Sequence, residues 1–290
     1  IVTDDDAGMA SLQKKHAQET AWGIKTEILD REDVLRLLPH LTPEIRGATF
    51  SRYEGFCETA VLAAAVRQAL GRAGVEIRAD AALVEATAGE IFRLKLADRT
   101  VIESPVLVGC LGAFMDDLLA MLGLPSGLMR LPLQIHAMDA PRGVVPVFTR
   151  YAGGRLSLKQ YPLGRVIVGG GWPAERHPDD PMAVLMSTES RRGNTELAGR
   201  IIPALARLRC TEWRGGWAAW TRDGLPAIGG YASLPYFYTA FGSNGFTLAP
   251  LYAELLVSLV QGERPLIGLD AFSPDRFRVD SVEKELPPDG

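Results

Sequence analysis

The chain has 290 residues, room for one large domain or two ordinary ones, and 47% of them are hydrophobic against 23% charged, a mixture that can bury a sizeable core. A formal net charge of −4 lacks the clustered basic excess that phosphate backbones require, which argues against a nucleic-acid surface. No apolar run reaches the length of a bilayer span, because the longest, 248–260, is interrupted by Pro250, Tyr252 and Glu254.

Cys57, Cys110 and Cys210 are odd in number and far apart. They form no disulfide framework and no metal set, so a reducing, cytoplasmic setting is expected. The first residue is Ile1 rather than Met, and the opening carries no signal or transit features. The chain therefore reads as a processed product or as part of a longer one.

Residues 8–24 suit a polar surface helix ending near Gly23, and Asp30 caps a short helix stopped by Pro39. The clearest helix is 59–73, where Val61, Leu62, Ala65, Val66, Ala69 and Leu70 recur at helical spacing. Thr59 is its expected cap and Gly74 its stop. Short strands follow at 75–78, 82–86, 91–96 and 101–103. An apolar strand at 106–113 then runs into a glycine turn and a helix over 114–122. Strands are expected at 131–138, 144–150, 155–159 and 165–168, a charged helix at 187–208, and a last long helix at 247–261. This pattern predicts a mixed α/β (α+β) fold in which an α/β layer is interleaved with an antiparallel sheet.

Four stretches could carry chemistry. Ala240-Phe-Gly-Ser-Asn-Gly-Phe-Thr-Leu-Ala-Pro250 leads from a strand straight into a helix. Its glycines allow close approach of a ligand, and the helix start favours an anionic or electron-rich group. The plain alternative is a strand-to-helix connection. The strand ending at Gly112-Ala113, the hairpin 156–172 with Gly169-Gly-Gly171, and the Trp/Gly-rich 213–229 segment read on local pattern as turns and core aromatics. The four histidines share no ligand spacing, so no metal is expected. His136, in an apolar strand beside Gln134, reads as a core histidine before an active-site one.

Taken in order, these segments resemble the D-amino-acid oxidase superfamily of FAD-dependent oxidoreductases, with its glycine oxidase, sarcosine oxidase and opine oxidase-like branches. The likeness rests on the collinear series Leu37-Leu-Pro39, Glu54-Gly-Phe-Cys-Glu-Thr59, Gly74-Val-Glu-Ile77, the 106–113 strand, Pro132-Leu-Gln134, Lys159-Gln160, Gly169-Gly170, Asp223-Gly-Leu-Pro-Ala-Ile-Gly229, Gly242-Ser-Asn-Gly-Phe246 and Arg276-Phe277.

The resemblance implies an FAD-binding Rossmann-like layer (51–127 and 213–290) and a substrate domain with an antiparallel sheet (1–50 and 128–212). It implies that Val84, Gly112, Ala113, Gly242, Ser243, Asn244, Gly245, Phe246 and Thr247 approach FAD, and that His136 and Trp172, on the substrate side, are the candidate catalytic residues. The reaction implied is oxidation of the C–N bond of a small amine or amino acid by hydride transfer to flavin, with an electron acceptor or partner subunit.

Departures from the family pattern matter as much. The Gly-x-Gly-x-x-Gly fingerprint is missing, because Gly169-Gly-Gly171 precedes Trp172-Pro173 rather than a helix. The first βαβ unit is therefore expected upstream of Ile1. Ala218 and Ala219 stand where many members carry a carboxylate-pairing Arg, leaving Arg150 and Arg222 as substitutes, and no Lys matches the oxygen-activating one of the sarcosine oxidase branch. A dehydrogenase is expected before a fast oxidase. The competing expectation is an inactive remnant that serves as a binding or assembly subunit.

Overall fold

The computed structural model describes residues 1–278. They form two compact units, one from residues 1–75 with 132–216 and one from residues 76–131 with those from 217 on. The chain begins with β1 (Val2–Thr3), α1 (Asp6–Ala21), β2 (Glu27–Asp30), α2 (Arg31–Leu37), β3 (Gly47–Phe50) and α3 (Thr59–Arg72). It continues through β4 (Leu83–Ala88), β5 (Phe92–Leu96), β6 (Val101–Ser104), β7 (Leu107–Gly109) and α4 (Met115–Met121). Next come β8 (Leu128–Asp139), β9 (Thr149–Tyr151), β10 (Leu156–Gln160), β11 (Arg165–Pro173), β12 (Glu175–Arg176), β13 (Val184–Leu185) and α5 (Thr188–Ile201). The last elements are β14 (Cys210–Thr221), β15 (Ala227–Tyr231), β16 (Leu234–Phe241) and α6 (Gly245–Gln261).

The first unit is built on an eight-stranded sheet ordered β14-β8-β11-β10-β9-β1-β3-β2. Strands β8, β11, β10 and β9 pair antiparallel, and β1 joins β9 in parallel. Directly paired residues share a face, so Leu158, Val168 and His136 point one way, while Lys159, Ile167 and Ala137 point the other. The first face is covered by α5. Ser187 caps this helix by accepting the Ser190 N–H, and Ser190, Asn194, Ala198 and Ile201 form its buried stripe. Met138, Leu158, Val166 and Val168 complete that core with Ile201, Ile202 and Leu205.

In the second unit β15, β16 and β7 form a three-stranded sheet, with β16 and β7 parallel. Ile228 and Ala240 pack against Tyr252, Leu255 and Leu256 of α6. Phe237, Tyr231 and Phe92 join Met115, Leu118 and Leu119 of α4 in a second cluster, and β4-β5-β6 forms a separate antiparallel meander. The fold is the mixed α/β class that the pattern predicts. Among the described residues no helix is long and apolar enough to cross a membrane.

Four local expectations are corrected. Residues 75–78 are not a strand: the Val75 N–H closes the end of α3 on Leu70 O at 3.0 Å, with Gly74 at φ +75°, a helix stop that takes the donor a ladder would need. The cap of α3 is Glu58, without a side-chain bond, rather than Thr59. Residues 144–148 are not strand because Val145 N–H goes to the Gln160 side chain and Pro146 has no N–H. The three glycines do not end β11. It runs on to Pro173 through a register shift between Val168 and Trp172, a bulge at which Gly170 adopts φ +125°.

Candidate functional site

The second unit holds a cavity of about 1160 Å³ whose walls come from β7, the end of β14, the β16–α6 connection and one face of α6. Val108, Ala240 and Phe241 contribute strand surface, Ala249, Ala253, Leu256 and Val257 the helix, and Trp217-Ala-Ala-Trp220 a further wall. No residue lining it carries a charge. Such a space suits a flat, largely apolar group.

One end is polar in a specific way. Gly242 has φ +107°, and a Cβ there would meet Thr221 Cγ2 at 2.8 Å, so glycine is required on two grounds. Asn244 follows in the left-handed region (φ 59°, ψ 18°) and caps α6 without a side-chain bond, and the first turn holds no acid. The opening N–H groups of a 17-residue helix are thereby left for a partner outside the helix. Ser243 is 2% exposed, and its hydroxyl has no hydrogen-bond partner. Tyr252 donates to the carbonyl of the same residue at 3.3 Å. At Gly245 a Cβ would meet nothing within 4 Å, so the approach to the helix start is clear.

Of the residues singled out from the sequence, Gly112, Ala113, Gly242, Asn244, Gly245 and Phe246 line this cavity. Ser243 is buried between the lining residues Gly242 and Asn244 without lining the cavity itself, and Thr247 lies on the exposed first turn of α6. Val84 sits apart from the lining, on β4, at a register shift between Leu83 and Glu85 that leaves it without a partner in the ladder.

His136 and Trp172 belong to the first unit and face α5. His136 is 3% exposed, with Nε2 3.2 Å from Thr195 Oγ1. Burial, aided by the Arg191 charge, pushes its pKa down to about 4, so the ring is neutral at pH 7. Trp172 donates its indole N–H to Arg155 O, and its ring lies where a Cβ on Gly193 of α5 would have to go.

The wall formed by Trp217 to Trp220 was not expected from the sequence, where these aromatics read as core. The available signal was the pair of alanines between the indoles, which leaves a smooth surface.

The family model of FAD dependent oxidoreductases (DAO) matches residues 1–259. A curated relative, the bifunctional protein ThiO/ThiG of Synechocystis sp., is 26% identical over 265 residues, covering 86% of this chain and 37% of that protein. The chain thus spans little more than a third of that relative. Among solved structures, glycine oxidase from Geobacillus kaustophilus superposes with a TM-score of 0.84 at 19% identity, covering 95% of this chain and 73% of that one. L-proline dehydrogenase from P. horikoshii gives 0.85 at 21%, covering 96% and 75%. Both likenesses establish the fold. With nine-tenths of its length inside the family model, the chain belongs to the D-amino-acid oxidase family of FAD-dependent oxidoreductases.

Proposed function

We propose that this chain forms part of an FAD-dependent enzyme that oxidises the C–N bond of a small amine or amino acid. The observation that carries the reading is the open start of α6 at one end of an uncharged cavity, with Ser243 Oγ buried and unpartnered beside it. These residues fit one end of a flavin: the N–H groups of Gly245 and Phe246 and the Ser243 hydroxyl would hold its electron-rich edge. Val108 and Trp217 to Trp220 would flank the apolar ring, and Val84 would offer its backbone to the adenine. Bound FAD would supply the two-electron acceptor for the carbon bearing the amine, and water would hydrolyse the imine product.

The chain's own contribution is binding and orientation. Its uncharged cavity excludes competing ions, and its helix start favours negative charge at one edge. His136 and Trp172 would act as positioning residues through β8 and β11. Changes at either are expected to shift substrate preference, read as the split between kcat and KM, more than flavin retention. Unchanged kinetics in both variants would make them purely structural. With no Lys matching the oxygen-activating one of the sarcosine oxidase branch, electrons are assigned to an acceptor other than oxygen in a dehydrogenase reaction on a cytoplasmic enzyme, with a partner subunit or carrier receiving them.

The test is a visible absorption spectrum after mixing the chain with FAD and desalting, followed by a screen for bleaching with amines and amino acids. In the full protein of which this chain would form part, retention with the native sequence and loss in Gly245→Asp is the expected pair, since the added side chain would enter open space and leave the fold intact. Equal retention in both would remove the flavin from this cavity. Flavin retained without bleaching by any amine would favour a second reading, an inactive binding or assembly subunit.

A further inference from the structure

The turn between β14 and β15, residues 221–226, lies directly under the polar end of the cavity in the second unit. A Cβ on Gly242 would meet Thr221 Cγ2 at 2.8 Å and Pro226 Cα at 3.3 Å, so the backbone leading into α6 rests on this turn. The turn ties itself only in part. Thr221 Oγ1 donates to Leu225 O at 2.5 Å, and the Gly224 N–H donates to Thr221 O at 3.0 Å. The Leu225 N–H goes to Asp223 Oδ1 at 3.1 Å.

The remaining hold comes from Arg276, in the short 3₁₀ turn Pro274–Arg278 that follows α6. Its Nε donates to Asp223 Oδ2 at 2.7 Å and its Nη2 to Asp223 Oδ1 at 3.2 Å. Nη2 also donates to Leu225 O at 2.8 Å, while Nη1 reaches Phe272 O at 2.8 Å and Ser273 O at 3.0 Å. All three guanidinium nitrogens are thus used, and the side chain is 17% exposed. Beside it Phe277 covers Gly127, where a Cβ would meet the ring at 2.2 Å, and Gly127 O accepts the Arg222 N–H at 2.9 Å. A planar fork of this kind fixes angle as well as distance, which a lysine cannot do. Asp223 is 38% exposed, so water can solvate it once the fork is lost, and the cost to global stability stays modest. The larger effect is local, on where the turn sits.

We propose that Arg276 is a positioning residue for the ligand edge of the cavity: by clamping Asp223 and Leu225 O it holds the turn under Gly242, and so aims the Ser243 hydroxyl and the opening N–H groups of α6. That the ligand is a flavin rests on the reading above, whereas the hold on α6 does not. A loosened turn lets Gly242 and the helix start drift, and hydrogen bonds weaken steeply as their donors leave line.

The experiment compares Arg276→Lys, which keeps the charge and removes the fork, with the native sequence in the full protein. Amide exchange is measured first, without FAD. The Leu248 N–H donates to Asn244 O at 3.0 Å and reports the first turn of α6. Exchange at Gly224, Leu225 and Leu248 should be at least about ten-fold faster in the variant, with the β4-β5-β6 meander unchanged. At saturating FAD the flavin midpoint potential should then fall, because fewer aligned donors stabilise charge on the reduced ring. A loss of stability alone would leave that potential unmoved. Arg278→Lys, at the next cation along, which pairs with Asp275, should alter neither measurement. Native exchange at Leu248 or a native potential in Arg276→Lys would overturn the proposal and leave the flavin reading intact. Failure of the native full protein to retain FAD would sink the flavin reading instead, and faster exchange at Leu248 would still support the hold on α6.

Discussion

Two helices of the first unit, α3 and α5, have 14 residues each and opposite fates. The α5 sequence is strongly charged, yet it buries Ser190, Asn194, Ala198 and Ile201. The α3 sequence is the more apolar of the two and buries none of its residues, with Val61 at 62% and Val66 at 49% exposure. An apolar stripe therefore reports that a helix can use a partner, and the sheet decides which helix gets one. Leu158 and Val168 face α5, and a helix of this length gains most of its stability from such packing.

Ile201→Ala should produce the largest loss, about 2–5 kcal/mol for a truncated core aliphatic, whereas Val66→Ala should stay within about 0.5 kcal/mol. Urea midpoints at constant m-value check both. A Val66 cost near that of Ile201 would mean that α3 is packed in solution, and the contrast would collapse.

The underside of α5 also carries a titration signature. His136 is held neutral, with its pKa lowered from 6.5 to about 4. The unfolded chain binds that proton first, so stability present above pH 6.5 drains as pH falls to 4, by about 3 kcal/mol in total. Unfolding free energies measured at pH 7 and pH 4 should differ by about that much more in the native chain than in His136→Leu. A pH dependence unaltered in the variant would place the ring in water.

Ser243→Ala sharpens the comparison from the second unit. Removing a buried hydroxyl that has no partner should change stability by less than about 0.5 kcal/mol or raise it slightly, while the fraction of FAD kept through desalting falls. A clear loss of stability would mean that the hydroxyl already has a partner. The smallest effect is expected at Arg36, an exposed residue on α2 bonded to Asp33 at 2.8 Å and Glu32 at 3.2 Å. Its replacement by Ala should shift the urea midpoint by no more than a few tenths of a kcal/mol.

The limits of α3 and α6 were legible from apolar spacing and flanking glycines, because these signals lie within a few residues of each other. Strand limits were less so. The alternation at Val75-Glu-Ile-Arg matches a strand but cannot show that the Val75 N–H is already used by α3. The helix-start loop at 242–247 could be read as a ligand approach, since its glycines and its position between strand and helix are local facts. The Trp217 to Trp220 wall and the Arg276 clamp could not. Each depends on segments brought together across many residues.

Gly170 has a consequence of another kind. A Cβ there would come within 2.3 Å of Arg155 C and 2.4 Å of Leu156 N, at a φ of +125°. No side chain can move aside, because the obstacle is backbone. In a saturation library of this chain the position should therefore stay glycine whether clones are sorted for expression, for flavin colour or for turnover. Depletion of variants at Gly170 would mark a folding constraint on β11, and it should serve as the baseline against which losses at Gly242 and Gly245 are scored.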